Sequence, residues 1–174
     1  MSRLERRPKH GAIPIPYTTP MVNGRPDFKS TDPKAHNLCV KYKLCGVCGE
    51  WIAHPPYVFG VGPMCVEARF VFGTPMHPGE CATAAFRLCP FLSREHWDRT
   101  DPADHAAAGR MTLSEEPPPA KPPRAALIHL RRYDLLVNPE NQMLYAQWSS
   151  SDVNCLEWWS YIDGRLQPEP LPCP

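Results

Sequence analysis

The sequence predicts an α+β protein: a small zinc-stabilised, treble-clef-like module with short helices, followed by a small C-terminal antiparallel sheet. A Cys-x-x-Cys-Gly turn at 45–49 is followed by further cysteines and a histidine at metal-ligand spacing. The chain has 23 prolines and 10 glycines, so these two residue types make up 33 of its 174 residues. In ordinary proteins proline and glycine together make up about 12 % of residues. This composition shortens helices and strands. Residues 126–162 are rich in strand-favouring aromatic and aliphatic side chains.

The elements before the cysteine turn follow from local signals. Asn23-Gly24 is a turn signal and predicts a loose hairpin across residues 14–28. Asp32 before Pro33 predicts a helix over residues 33–43, because Asp caps a helix N-terminus and Pro is tolerated in the first turn. This helix delivers the chain to the metal turn.

The segment after the turn is predicted to alternate short strands and helices. Trp51-Ile52 and residues 57–61 predict a two-stranded hairpin, and residues 62–72 a turn or short element. Pro78 and the alanine-rich stretch that follows predict a helix that ends at Pro90.

The C-terminal part predicts a three-stranded antiparallel sheet. Its strands are expected at 126–137 (a long strand or a strand pair), 142–148 and 155–162. The whole chain is thus predicted to divide into a flexible basic tail (1–12), a zinc-binding domain (13–110), a Pro-rich linker (111–124) and an antiparallel β subdomain (125–170).

Charge is unevenly distributed along the chain. The formal net charge is only +1, yet residues 1–44 carry nine Lys/Arg against three Asp/Glu. The rest of the chain is net acidic, so no global field attracts nucleic acid. A nucleic-acid contact would therefore have to use the N-terminal basic residues; a merely solvated basic arm is the alternative. The candidates are Arg6, Arg7, Lys9, Lys41 and Lys43.

The cellular compartment is predicted from what the sequence does not contain. It has no apolar run of about 18 residues and no signal peptide, so we expect no membrane association and a cytoplasmic location. Eight cysteines in a reducing compartment indicate metal ligands or free thiols rather than disulfides. Cys39, Cys155 and Cys173 lack partner spacing and are interpreted as structural or incidental thiols.

The predicted metal ligands are Cys45, Cys48, His77 and Cys81. Two buried thiols or a redox dithiol are the alternatives for the first pair, but a redox pair usually opens a helix after a strand. The second pair would lie at the start of the predicted helix and complete a tetrahedral zinc site. An iron–sulfur cluster is the alternative metal group, since its cysteines also occur in Cys-x-x-Cys pairs and before proline.

Cys65 and Cys89 are alternate ligands. Cys89 lies on the helical face of Cys81 but about 12 Å further along the axis, so a continuous helix prevents both thiols from binding one ion. Cys65 could replace His77 and give a four-thiolate site.

Four motifs carry a further signal: Cys45-Gly-Val-Cys-Gly, Gly62-Pro-Met-Cys, His77-x-x-x-Cys-Ala and Cys89-Pro-Phe-Leu. In these motifs the sequence resembles a family of uncharacterised proteins of bacteriophages and bacterial genomes. The likeness extends over most of the chain. It implies that Cys65 and Cys89 belong to the signature, and it implies a phage or mobile-element setting in a bacterial host cell. It implies no assigned activity.

Three classes of function are compatible with a metal module. Deaminase, zinc-protease, Gly-x-Ser-x-Gly and phosphate-loop motifs are missing; a treble-clef nuclease would have to recruit His54, His96 and His105, with Asp98 and Asp101. The second class is a nucleic-acid-binding module. The third class, which we favour, is a protein-interaction module that acts on a host factor. Its interface could be anchored by aromatic side chains, although the same residues could instead form the core of the small sheet. These residues are Trp148, Trp158, Trp159 and Tyr161.

Overall fold

The computed structural model describes residues 2–89 and 123–170, which form three α-helices and several antiparallel sheets. The predicted α+β class is confirmed. None of the helices in this part of the chain has the length and apolar character needed to cross a membrane. The elements are β1 (Lys9–His10), β2 (Ile13–Pro14), β3 (Met21–Val22), β4 (Arg25–Pro26), α1 (Pro33–Tyr42), β5 (Tyr57–Val61), α2 (Pro63–Ala68), β6 (Phe70–Val71), α3 (Glu80–Leu88), β7 (Arg124–Leu130), β8 (Asp134–Val137), β9 (Leu144–Gln147), a 3-10 turn (Ser150–Asp152), β10 (Val153–Ile162) and β11 (Arg165–Pro168).

A four-stranded antiparallel sheet in the order β11-β10-β7-β5 forms the centre of the fold. Strand β7 lies between two partners, and five of its seven residues are buried. A strand covered on both faces has an apolar run rather than an alternating pattern, which explains the sequence Ala-Ala-Leu-Ile in β7. This sheet supplies half of the residues in the main hydrophobic cluster.

The two faces of this sheet pack against different elements. On one face, the fully buried ring of Phe86 from α3 lies against Trp159 with the ring centroids 5.2 Å apart. It also covers Gly60, where an added Cβ would come within 2.8 Å of the Phe86 ring. On the other face, the ring of Tyr133 meets those of Tyr57 and Phe59 edge-on.

A second sheet, in the order β6-β9-β8, packs beside helix α1. The Asn37 side chain accepts a hydrogen bond from the backbone N–H of Leu144 (2.8 Å) and donates one to the carbonyl of Gln142 (3.1 Å). The Tyr133 hydroxyl donates to the Val40 carbonyl at 2.8 Å. Helix α1 is therefore fixed to the C-terminal part of the chain by side-chain contacts.

Local turn and cap signals are confirmed. Strands β3 and β4 pair across Asn23-Gly24, where both residues have positive φ. Asp32 caps α1 by accepting from the backbone N–H groups of Lys34 and Ala35. Helix α3 is continuous and ends at Leu88.

The predicted hairpin between Trp51-Ile52 and residues 57–61 is wrong. Trp51 instead makes a single antiparallel bridge to Leu44, and β5 pairs with β7. The reason is burial. Strand β5 is apolar on both faces, so it buries more apolar surface in the central sheet than it would beside the proline-interrupted segment that precedes it.

Both sheets cross the division predicted between residues 13–110 and 125–170. Strand β5 pairs with β7, and β6 pairs with β9.

Two of the tryptophans predicted as possible interface anchors are core residues. Trp148 and Trp159 are only 5 % and 4 % exposed.

The cysteine prediction needs one correction: Cys155 is disulfide-bonded. Its place in strand β10, rather than any spacing pattern in the sequence, sets its surroundings. The linker 111–124 and Cys173 lie outside the described residues, apart from the end of the linker at 123–124.

Replacing Phe86 with Ala should destabilise the fold strongly, because it empties the space between α3 and the central sheet. Deleting a buried Phe ring costs about 3–5 kcal/mol, measurable by urea unfolding. Leu88→Ala on the same helix, where the side chain is 43 % exposed, should cost much less. Equal losses in the two variants would contradict this packing.

Asp152 should contribute a pH-dependent stabilisation. Hydrogen bonds from Ser149, and then the Arg132 guanidinium at 2.6 Å, lower the pKa of Asp152 from 3.8 to about 2. The contribution is therefore complete above pH 3.8 and disappears as the pH falls through about 2. The difference in free energy of unfolding between wild type and Asp152→Asn should be constant near neutral pH and should shrink below pH 3.8. A difference independent of pH would contradict the assignment.

Candidate metal centre

The first arm of the candidate site is a tight turn at residues 45–50. The backbone N–H of Cys45 donates to the Glu50 carbonyl (2.8 Å), and that of Gly49 donates to the Cys45 carbonyl (2.7 Å). Gly49 has φ +82°, which other residues adopt only with strain. The turn therefore aims the side chains of Cys45 and Cys48 to one side.

The second arm runs from the edge of the central sheet into helix α3. Met76 exchanges two backbone hydrogen bonds with Val58 of β5, at 2.8 and 3.2 Å. His77 follows directly, and its carbonyl accepts from the backbone N–H of Ala82 at 3.2 Å. Cys81 lies in the first turn of α3, so sheet edge and helix start together position the second pair.

The two arms are joined by backbone contacts. The Gly46 N–H donates to the Pro75 carbonyl at 2.9 Å, and a Cβ on Gly46 would lie 1.9 Å from Thr74 Oγ1. The N-terminal segment covers the turn, with Tyr17 N–H donating to the Val47 carbonyl at 2.9 Å. Only glycine at position 46 permits this approach of the two arms.

The thiols converge on one point. The ligand atoms of Cys45, Cys48 and Cys81 all lie within 4.8 Å of one another, and so do those of Cys48, Glu50 and His77. Four ligands about 2.3 Å from a tetrahedral zinc ion would be about 3.8 Å apart. Cys45, Cys48 and Cys81 are thus close enough to hold a metal ion.

The thiols share their protons unequally. The thiols of Cys48 and Cys81, together with the backbone N–H groups of Cys48 and His77, lower the pKa of Cys45. The hydrogen bonds to Cys45 raise the pKa values of Cys48 and Cys81. The arrangement favours one thiolate at Cys45, and a cation would favour further deprotonation because metals bind thiolates.

His77 fits the role of a further ligand. Its Nε2 is buried and has no hydrogen-bond partner among the residues that the structure describes. Burial lowers the pKa of His77, so the imidazole is neutral at pH 7, the form that coordinates metals. A buried ring nitrogen without a partner is costly unless another group satisfies it.

Glu50 is a nearby carboxylate that the sequence analysis missed. It lies beside Cys48 and His77, and its position directly after the Cys-x-x-Cys-Gly turn was the available signal. Its carboxylate bonds the Arg6 guanidinium and lies 3.2 Å from Arg3 Nε. These arginines bind the Glu50 carboxylate, whose side chain is 39 % exposed.

The other basic candidates are also placed by the structure. Arg7 donates to the Ile15 carbonyl at 2.9 Å and lies over the Tyr17 ring. Lys9 is exposed in β1, and Lys41 and Lys43 are exposed at the end of α1. Arg6 and Arg7 therefore contribute to the docking of the N-terminal segment.

The alternate ligands lie apart from this cluster. Within residues 2–89 and 123–170, neither Cys65 nor Cys89 has two other potential ligands within 4.8 Å. Cys39 is fully buried, and burial raises its pKa to about 12. His96, His105, Asp98 and Asp101 lie outside the described residues.

A second group of potential ligands lies on the central sheet. His129, Cys155 and Glu157 have ligand atoms within 4.8 Å, on the paired strands β7 and β10. The Cys155 sulfur is held in a disulfide, and His129 Nε2 lies 2.7 Å from Glu157 Oε1. We interpret this group as a His–Glu side-chain contact next to a disulfide.

Comparisons of the chain with protein-family models, with curated proteins and with solved structures give no match. The resemblance to a phage and bacterial family stays a prediction. The functional argument therefore rests on the geometry of the cluster.

Replacing Gly49 with Ala should weaken metal binding. A side chain at position 49 is disfavoured by the positive φ, and it also clashes with the Tyr17 ring, since its Cβ would lie 2.7 Å from Tyr17 Cδ2. Gly24→Ala is the matched control, because Gly24 has φ +76° but no atom within 4 Å of an added Cβ. Competition with a chromophoric chelator should show a lower metal affinity only for Gly49→Ala. An equal effect in both variants would exclude a specific role for the Tyr17 contact.

Proposed function

We propose that Cys45, Cys48, His77 and Cys81 bind one structural Zn²⁺ ion and that the chain is a zinc-stabilised binding module. The observation that carries this proposal is the convergence of three buried thiols, together with a buried imidazole nitrogen that has no other partner in the described part of the chain. Thiolate and imidazole are the preferred ligands of structural zinc sites.

Burial supports a structural rather than a catalytic ion. Cys45 and Cys81 are fully buried, and Cys48 and His77 are 7 % and 9 % exposed. Four protein ligands close the zinc coordination sphere and leave no position for water or substrate. The nuclease alternative would need an open position and a base; His54, the candidate base in the described part, is exposed on a loop.

Zinc is favoured over an iron–sulfur cluster by the ligand set. The thiol group Cys45, Cys48 and Cys81 overlaps at Cys48 with a second group that adds the His77 imidazole, whereas most iron–sulfur clusters use four thiolates. The two further cysteines that could supply a fourth thiolate, Cys65 and Cys89, lie outside the group. Glu50 is the competing fourth ligand, but Arg3 and Arg6 already bind its carboxylate.

The order of the elements supports a treble-clef-like arrangement. A cysteine turn comes first, a strand follows, and a helix carries the last ligand in its first turn. The arrangement departs from a simple treble clef because β5 pairs with the distant strand β7. We therefore propose a cysteine turn and ligand-bearing helix built onto the edge of a larger sheet.

The remaining elements of the proposal concern its setting. The resemblance to phage and bacterial proteins supports a role in a bacterial host cell, where a protein-interaction module would act on a host factor. Fewer aromatic residues are available to anchor a protein partner than the sequence predicts, since Trp148 and Trp159 are buried in the core. The nucleic-acid alternative gains from a different aromatic residue, Trp51.

Elemental analysis of single variants tests the metal site. The purified protein should contain one zinc per chain, and Cys45→Ser, Cys48→Ser, Cys81→Ser and His77→Ala should lose it. Zinc binding is coupled to folding; a loss of about 3 kcal/mol would lower Tm by about 6–12 °C in a chain of this size.

Cys65→Ser, Cys89→Ser and Glu50→Gln are the matched controls and should retain zinc and Tm. A variant of the four proposed ligands that keeps one equivalent of zinc and its Tm would remove that residue from the site. Iron and visible absorption in place of zinc would refute the zinc assignment and support a cluster.

A further inference from the structure

We propose that the surface formed by Lys41, Tyr42, Lys43 and Trp51, here called the Trp51 surface, binds single-stranded nucleic acid by base stacking and phosphate contact. This inference names the partner of the proposed binding module and rests on that function. It uses the Trp51 and Tyr42 rings as stacking platforms and the two lysines as phosphate contacts.

The first argument is the exposure of the two rings. Trp51 is 64 % exposed, the highest value for an aromatic residue in the described part of the chain, and Tyr42 is 53 % exposed. A Trp side chain usually buries most of its large surface. An exposed indole and phenol near each other offer faces on which unpaired bases stack, at about 1–3 kcal/mol per base.

The second argument is the rigid backbone that joins them. Trp51 pairs with Leu44, and the Ile52 N–H donates to the Lys43 carbonyl at 2.8 Å. Tyr42 is the last residue of α1, two positions before Leu44. The Cα atoms of Tyr42 and Trp51 are therefore no more than about 13 Å apart. The platforms stand on the same ribbon that forms the cysteine turn.

The third argument is charge. The basic excess of the chain lies within residues 1–44, and Lys41 and Lys43 are exposed on either side of Tyr42 in the chain. Lys41 Nζ lies 5.2 Å from the Tyr42 ring centroid, and Lys43 Nζ lies 5.0 Å from that of Tyr57. The neighbouring acid, Glu50, is paired with Arg3 and Arg6. The lysines also offset the negative end of the α1 dipole, so phosphates meet net positive charge.

The surroundings favour nucleic acid over a protein partner. Protein hot spots lie in apolar pockets enclosed by other contact residues. Trp51 is instead next to Glu50 and near the exposed residues Lys43, Ala53 and His54. Exposed aromatic rings combined with nearby positive charge are the pattern of single-strand binding surfaces, and paired bases in a duplex cannot stack on them.

Fluorescence anisotropy with labelled oligothymidylate and oligouridylate of about 12 nucleotides tests the proposal. The zinc-loaded full chain should bind at least one of them, with affinity that falls as salt rises. Trp51→Ala should weaken binding about 5- to 150-fold. Lys43→Ala should reduce the slope of log K against log salt by about 0.7.

Two control variants remove the same kinds of group, an exposed ring and an exposed positive charge, at positions outside the Trp51 surface. Phe72→Ala removes a ring that is 53 % exposed next to Tyr145. Arg165→Ala removes an exposed charge on β11, at the opposite edge of the central sheet from β5. Both should bind like wild type. Salt-independent binding, equal affinity for a duplex of the same sequence, or wild-type affinity in Trp51→Ala would each overturn the proposal.

Zinc content and Tm of the same samples separate this inference from the metal proposal. Trp51→Ala should keep one zinc and its Tm, because the ring lies in solvent. A zinc-free protein with Trp51-dependent oligonucleotide binding would refute the metal proposal alone. A zinc-loaded protein that binds neither oligonucleotide would refute this inference alone.

Discussion

The candidate site depends on one short piece of backbone, the segment 74–77. Met76 is hydrogen-bonded at both its N–H and its carbonyl to Val58, and the Pro75 carbonyl accepts from Gly46. The segment is thereby held between the edge of the central sheet and the cysteine turn. Because His77 ends this segment and Cys81 lies in the first turn of α3, four residues later, their positions relative to Cys45 and Cys48 are set before any cation binds. Preorganisation of this kind reduces the ordering cost that a metal must otherwise meet.

The candidate ligand cluster and the hydrophobic core form one continuous unit. Cys45, Cys48 and Cys81 belong to the same buried cluster as Phe59 and Phe86. Helix α3 connects them, since it presents Cys81 to the cysteine turn at its start and Phe86 to the sheet further along. The same nine-residue helix therefore contacts both the candidate ligands and the central sheet. The covering N-terminal segment adds charge: Arg3 and Arg6 neutralise Glu50 next to the thiols.

The sequence was sufficient for features that depend on near neighbours. The Asp32 cap, the Asn23-Gly24 turn and the separation of Cys89 from Cys81 each follow from a few consecutive residues, and the structure agrees with them. Strand pairing could not be predicted, because β5 is apolar on both faces and its pattern does not identify β7 as its neighbour. The exposure of Trp51 was likewise hidden, since burial of an aromatic depends on what packs over it. Glu50 was overlooked because carboxylates are common and its closeness to His77 is a tertiary contact.

The division of the sheets between distant parts of the chain has a consequence for the order of folding. The candidate ligands Cys45, Cys48, His77 and Cys81 all lie within residues 45–81, a span in which a turn and the start of a helix can meet after closing one modest loop. Strand β5 cannot complete its pairing until β7 is available, and the loop between them includes residues 62–123. Contacts of such sequence separation form slowly. During synthesis, a thiol-bound cation would therefore hold the early half of the chain together while the partner strands of β5 are still being made.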